Sequence, residues 1–146
     1  MLDDDLLAAY RATAYVVPRQ GGDVVVRIDE ASPGLDRLLA ALGARTAVFV
    51  TAWNPLSRPR PRAENEAAAA RLAAEAAAHG WRSLPQEGRG DDGTWPPEPG
   101  LLLLDLDRAQ AVALAERHGQ NAVVWCEASA PARLLLTPLA TSSSSR

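Results

Sequence analysis

Residues 81–106 read WRSLPQEGRGDDGTWPPEPGLLLLDL. The two ends, WRSLPQ (81–86) and LLLLDL (101–106), are strand-like. The middle, EGRGDDGTWPPEPG (87–100), carries four glycines and three prolines and predicts a loop. Two strands in succession after a helix break the strict alternation that a doubly wound sheet requires. This stretch therefore decides between two fold classes.

On its N-terminal side, RTAVFVTAWN (45–54) is a continuous apolar run and predicts a buried strand. AENEAAAARLAAEAAAHG (63–80) is an alanine-rich helix closed by Gly80, able to pack close to a sheet. On its C-terminal side, Asp107 caps the helix RAQAVALAERHG, which Gly119 stops. NAVVWCEA (121–128) and ARLLLT (132–137) are the last strands. Upstream, DLLAAYRA (from residue 5) is a short helix, and TAYVV (13–17) with DVVVRI (23–28) reads as a hairpin across PRQGG. ASPGLDRLLAALG predicts a helix with Ser32 as cap, Pro33 in its first turn and Gly43 at its end.

The order from 45 to 128 is strand, helix, strand, strand, helix, strand. The expected fold is α+β: a single-layer mixed or antiparallel sheet with helices on one face. Its ferredoxin-like βαββαβ core (45–128) has an N-terminal hairpin before it and an extra C-terminal strand after it. Residues 1–138 are expected as one domain, and the Ser-rich 139–146 as a disordered tail.

The chain has 146 residues and a net charge of −3, and every basic residue is arginine. That balance speaks against a general nucleic-acid binder. A single cysteine, Cys126, excludes an internal disulfide and a cysteine-based zinc site. No run approaches the roughly 20 apolar residues of a membrane span, and the acidic N-terminus is not a signal peptide. A cytoplasmic protein is the expectation.

Polar chemistry crowds TAWNPLSRPRPRAEN (51–65), between a strand end and a helix start. Such edges carry ligand groups in α/β sheets, and helix N-termini attract anions. Trp53, Asn54, Ser57, Arg62 and Asn65 are candidate ligand-binding residues, with Glu64 the candidate general acid or base. The 87–100 loop adds Asp92 and Glu98, and the HGQN segment adds Gln120. DDG lacks the pattern of a calcium loop, so no metal site is expected. The sequence names no cofactor. His79 and His118 sit in last helical turns, where a cation suits the dipole.

TAWNPLSRPRPRAEN, GDDGTWPPEPG and HGQNAVVW, in this order and spacing, resemble the bacterial family of proteins of unknown function DUF3293. The resemblance runs from about Tyr10 to Leu136. It implies a small single-domain protein with a shared polar site, and carries over Thr51, Trp53, Asn54, Pro55, Ser57, Glu64, Asn65, Gly119, Gln120 and Asn121 without a catalytic role. His118 stands where the family has an aromatic residue.

Two functions compete. One is a site for a small polar or anionic ligand, with Arg62 and the helix N-terminus taking a phosphate or carboxylate and Trp53 or Trp95 stacking on a ring. The other is a regulatory or interaction module without catalysis, self-associating into a homo-oligomer through sheet edges such as ARLLLT.

Overall fold

A computed structural model describes residues 4–91 and 96–140. Helix α1 (Asp4–Arg11) leads into a hairpin of β1 (Thr13–Val17) and β2 (Val24–Val26). Helix α2 (Pro33–Leu42) and strand β3 (Thr46–Val50) follow. A 3-10 turn (Pro55–Ser57) precedes the long α3 (Arg62–Ala78). Strands β4 (Ser83–Gly90) and β5 (Glu98–Leu104), helix α4 (Arg108–Arg117), β6 (Ala122–Glu127) and β7 (Arg133–Leu136) complete the order.

The strands form one seven-stranded sheet, β2-β1-β4-β5-β3-β6-β7, with every ladder antiparallel. A parallel bridge joins Ile28, just past β2, to Ala132, just before β7. Asp29 N donates to Ala132 O at 2.7 Å beside it. The two edges of the sheet are thus drawn together, and the sheet curls.

Side-chain alternation splits β3, β5 and β6 between two cores. Ala47, Phe49, Leu102, Leu104, Val124 and Cys126 pack with Leu35, Leu38 and Leu39 of α2. Val48, Val50, Leu103, Val123 and Trp125 pack with Ala68, Leu72 and Ala76 of α3 and Ala111, Leu114 and Ala115 of α4. The sequence predicts helices on one face; α3 and α4 pack into one core, whereas α2 packs into the other. The reason lies in the strands: with apolar residues on both faces, both must be covered. The three α2 leucines are buried, each worth roughly 1.5–3 kcal/mol.

Local signals behave as read. Ser32 Oγ accepts from Leu35 N at 3.2 Å, and Gly43 ends α2 with φ 67°. Asp107 and Gln110 form a reciprocal capping box at α4.

The segment 87–100 departs from the sequence reading. It is not all loop: β4 continues to Gly90 and β5 begins at Glu98, paired through Gln86↔Gly100, Glu87↔Pro99 and Gly88↔Glu98. Pro85 and Pro99 do not break this hairpin. Pro85 lies outside the β1 register and Pro99 outside the β3 register, so each missing N–H can face an open side. At the C-terminus, Ala140 is fully buried and its N–H reaches Thr137 O, so the chain stays packed two residues past 138. Residues 141–146 lie outside the described residues.

Candidate functional site

A cavity of about 470 Å³ opens on the α2 side of the sheet, beyond α2 and beneath α1. Tyr15, Phe49 and Val124 form its apolar walls, and Leu6, Ala9 and Tyr10 of α1 cover it. Space exists because β4 places small residues there. Gly88 and Gly90 share a strand face with Gln86, where larger side chains would fill the hollow. One end is polar: Thr51, Asn54, Ser57, Gln86, Glu98 and Gln120 all border it.

The 51–57 loop forms the rim and is held by an unusual set of bonds. Asn54, Leu56 and Ser57 all have positive φ, at 47°, 57° and 59°. Strain of this kind persists only where the surroundings enforce it. Thr51 Oγ1 donates to Pro99 O at 2.8 Å and accepts from Trp53 N at 3.0 Å. Asn54 Oδ1 accepts from Arg60 N at 3.1 Å and from Asn65 Nδ2 at 2.8 Å. Gln120 Nε2 donates to Trp53 O at 3.2 Å, and Leu56 N donates to Gly119 O at 2.6 Å. Gly119 sits at φ 71°, and a Cβ there would lie 2.8 Å from Pro55 Cβ. Much of the crowded polar chemistry therefore fixes the shape of the loop.

Glu98 is placed by Asn54, whose Nδ2 donates to Glu98 Oε2 at 3.3 Å. Burial raises the pKa of Tyr10; its bond to Ser57 opposes that rise and the Glu98 charge adds to it. Burial, then the charges of Tyr10 and Glu98, raise Tyr15 as well. Both phenols are neutral donors at physiological pH. The other bordering carboxylate, Asp91, is gripped by Arg27 through two bonds of 3.1 and 2.7 Å. No arginine borders the cavity among the described residues.

The structure brings together five of the residues expected from sequence: Trp53, Asn54, Ser57, Glu98 and Gln120. Asn65 is buried behind the rim as the partner of Asn54. Arg62 and Glu64 stand outside. Both are exposed; Arg62 pairs with Glu66 at 3.7 Å, and Glu64 borders a separate shallow depression with Arg60 and Arg71. The geometry is that of the helix: with Asn65 turned inward, Glu64 lies about 100° around the axis. Asp92 and Trp95 lie outside the described residues. His118 serves a structural tie, its Nε2 3.0 Å from Glu75 Oε1.

Sequence reasoning missed Tyr10, Tyr15 and Gln86. A signal existed for Gln86: in QEGRG, Gln86, Gly88 and Gly90 fall on one face by period two.

Residues 50–123 match a family described as "Protein of unknown function (DUF3293)". The match covers half of the chain, and the protein belongs to this family. It is shorter than the span of the sequence resemblance. It contains the rim loop, Gln86, Glu98 and Gln120, but not Tyr10 or Tyr15. Neither the curated proteins nor the solved structures gave a match.

Proposed function

We propose that this domain binds a small, ring-bearing molecule in the cavity between α1 and the curled sheet. The observation that carries the reading is the cavity itself: apolar and aromatic walls closing on one polar end. That combination is the usual form of a small-molecule site. Tyr15 and Phe49, with ring centroids 5.6 Å apart, offer an aromatic wall. Glu98, held by Asn54 and coupled to both tyrosines, is the acid–base group of the site in place of Glu64. An anionic ligand loses support, because among the described residues the charged side chains bordering the cavity are Glu98 and the Arg27-paired Asp91, both carboxylates. A neutral or cationic ligand fits that field.

We further read the core as ferredoxin-like. The antiparallel order β4-β5-β3-β6, with α3 and α4 in one core cluster, supports this. Self-association through sheet edges has less support, since the Ile28–Ala132 bridge draws the β2 and β7 ends together.

A thermal-shift screen with small aromatic amides, amines and heterocycles tests the reading. Gly88→Val, which narrows the cavity, and Glu64→Ala serve as variants. A ligand at 100 times its dissociation constant adds about 2.7 kcal/mol, a visible shift for a domain of this size. Hits abolished by Gly88→Val and kept in Glu64→Ala are expected. Hits with the opposite dependence, or none, would overturn the proposal.

A further inference from the structure

Gln86 is a buried polar side chain at the cavity whose acceptor is left over. It is 5% exposed, and Oε1 has no hydrogen-bond partner among the described residues. Its amide is loosely held, since Nε2 makes a single long bond of 3.4 Å to Val50 O. The local backbone is shaped around it. A Cβ at Gly100, opposite on β5, would overlap the Val50 carbonyl oxygen and come within 2.5 Å of Gln86 Nε2. So Gly100 makes room for an amide whose Oε1 has no partner among the described residues. A buried unpaired acceptor is costly, and such groups persist where a partner arrives from outside.

We propose that Gln86 Oε1 anchors the ligand of this cavity by accepting a hydrogen bond from a neutral N–H or O–H group on its ring system. The inference rests on the cavity being a ligand site. Gln86 borders the cavity, and the soft terminal torsion of its amide lets Oε1 turn to meet a ligand there. The donor proposed for this contact is neutral: Gln86 is an uncharged amide, and an ammonium desolvated against it would gain no opposite charge from Gln86 itself. The chemical class is a flat ring bearing an amide, ring N–H or hydroxyl.

Matched probes test this without knowledge of the natural ligand. Benzamide is compared with N,N-dimethylbenzamide, and indole with 1-methylindole, by ligand-observed NMR on the full chain. The donor-bearing member of each pair is expected to bind about tenfold more tightly, the size of one good hydrogen bond. In Gln86→Met, similar in length and apolar, that preference is expected to fall to about one while the capped probes bind as before. Its melting temperature is expected to stay near wild type, because the substitution removes an unpaired acceptor together with one long bond. Equal binding of capped and uncapped probes to the wild type would overturn the role of Gln86 and leave the cavity reading standing. Failure of every probe to bind would overturn both. A preference that survives in Gln86→Met would place the acceptor elsewhere.

Discussion

Asn54 and Asn65 clasp each other across the rim of the cavity. Asn54 N donates to Asn65 Oδ1 at 2.8 Å, and Asn65 Nδ2 returns a bond of 2.8 Å to Asn54 Oδ1. Both residues are buried. The pair fixes the strained loop to the first turn of α3 and frees Asn54 Nδ2 to hold Glu98. Asn65→Ala leaves Asn54 N buried without its acceptor, while Asn54 Oδ1 keeps Arg60 N, and is expected to cost about 2 kcal/mol. Urea denaturation measures it. Asn65→Asp keeps the acceptor for Asn54 N but sets a buried carboxylate oxygen against Asn54 Oδ1 and Arg60 O, and is expected to lose at least as much.

Gly100 and Gly88 make a paired test of how tightly the hairpin is built. Gly100→Ala forces a Cβ into the Val50 carbonyl oxygen and is expected to destabilise by roughly 2–3 kcal/mol, as overpacking does. A Cβ at Gly88 meets Thr13 Cγ2 at 3.3 Å and the Tyr15 ring at 3.6 Å. Gly88→Ala is therefore expected to cost less than half as much. Equal losses at the two positions, read from denaturation midpoints, would contradict the close approach at Gly100.

Much of the fold was legible because its signals were local. Ser32, Gly43, Asp107 and Gln110 announce helix ends through short-range bonds that do not depend on the rest of the chain. The β4–β5 hairpin was not legible in 87–100. Its glycines and prolines are there for cavity space and for registers with a single neighbour, and composition alone equates them with loop. The helix on the far face was missed for a related reason: apolar runs say that a strand is buried, not which element buries each face. At the site, the rim residues could be read from TAWNP and GQN. Tyr10, Tyr15 and Gln86 could not, since nothing before folding places α1 against β4. The inward turn of Asn65 decides that Glu64 points away, and a rotation of one residue in a polar helix start leaves no trace in the sequence.

Glu75 ties the end of α3 to the end of α4. It accepts from Arg117 Nε at 2.9 Å and from Arg117 Nη2, with His118 Nε2 3.0 Å away. Arg117 first, then His118, hold its carboxyl below the ordinary value of 4.5 despite partial burial. A carboxylate lowered on folding stabilises the protein above its unfolded value. That contribution fades as the pH falls below about 4.5 and through the lower folded value. The guanidinium is half exposed, so the effect is expected to stay below about 1 kcal/mol. Glu75→Gln is expected to be less stable than wild type at pH 7, with the gap closing in acid. Denaturant midpoints across that range measure it.

Cys126 lies in the core beneath α2, where burial, and then the charge of Asp36, push its thiol up to about 12. A thiol of that kind is unreactive while the fold is intact. Labelling by a disulfide reagent at pH 8 is expected to track unfolding, appearing with the loss of structure in denaturant. Rapid labelling of the native protein would contradict the packing of β6.

The central claim is that ligands enter the cavity between α1 and the curled sheet. Protein-observed NMR during titration with indole tests it most directly. Saturable shifts concentrated on the amides of Tyr10, Tyr15, Phe49, Gln86 and Gly88, and absent in Gly88→Val, are the predicted result. Shifts gathered instead along β2 and β7, or none at the cavity walls, would contradict the account and return the weight to an interaction surface.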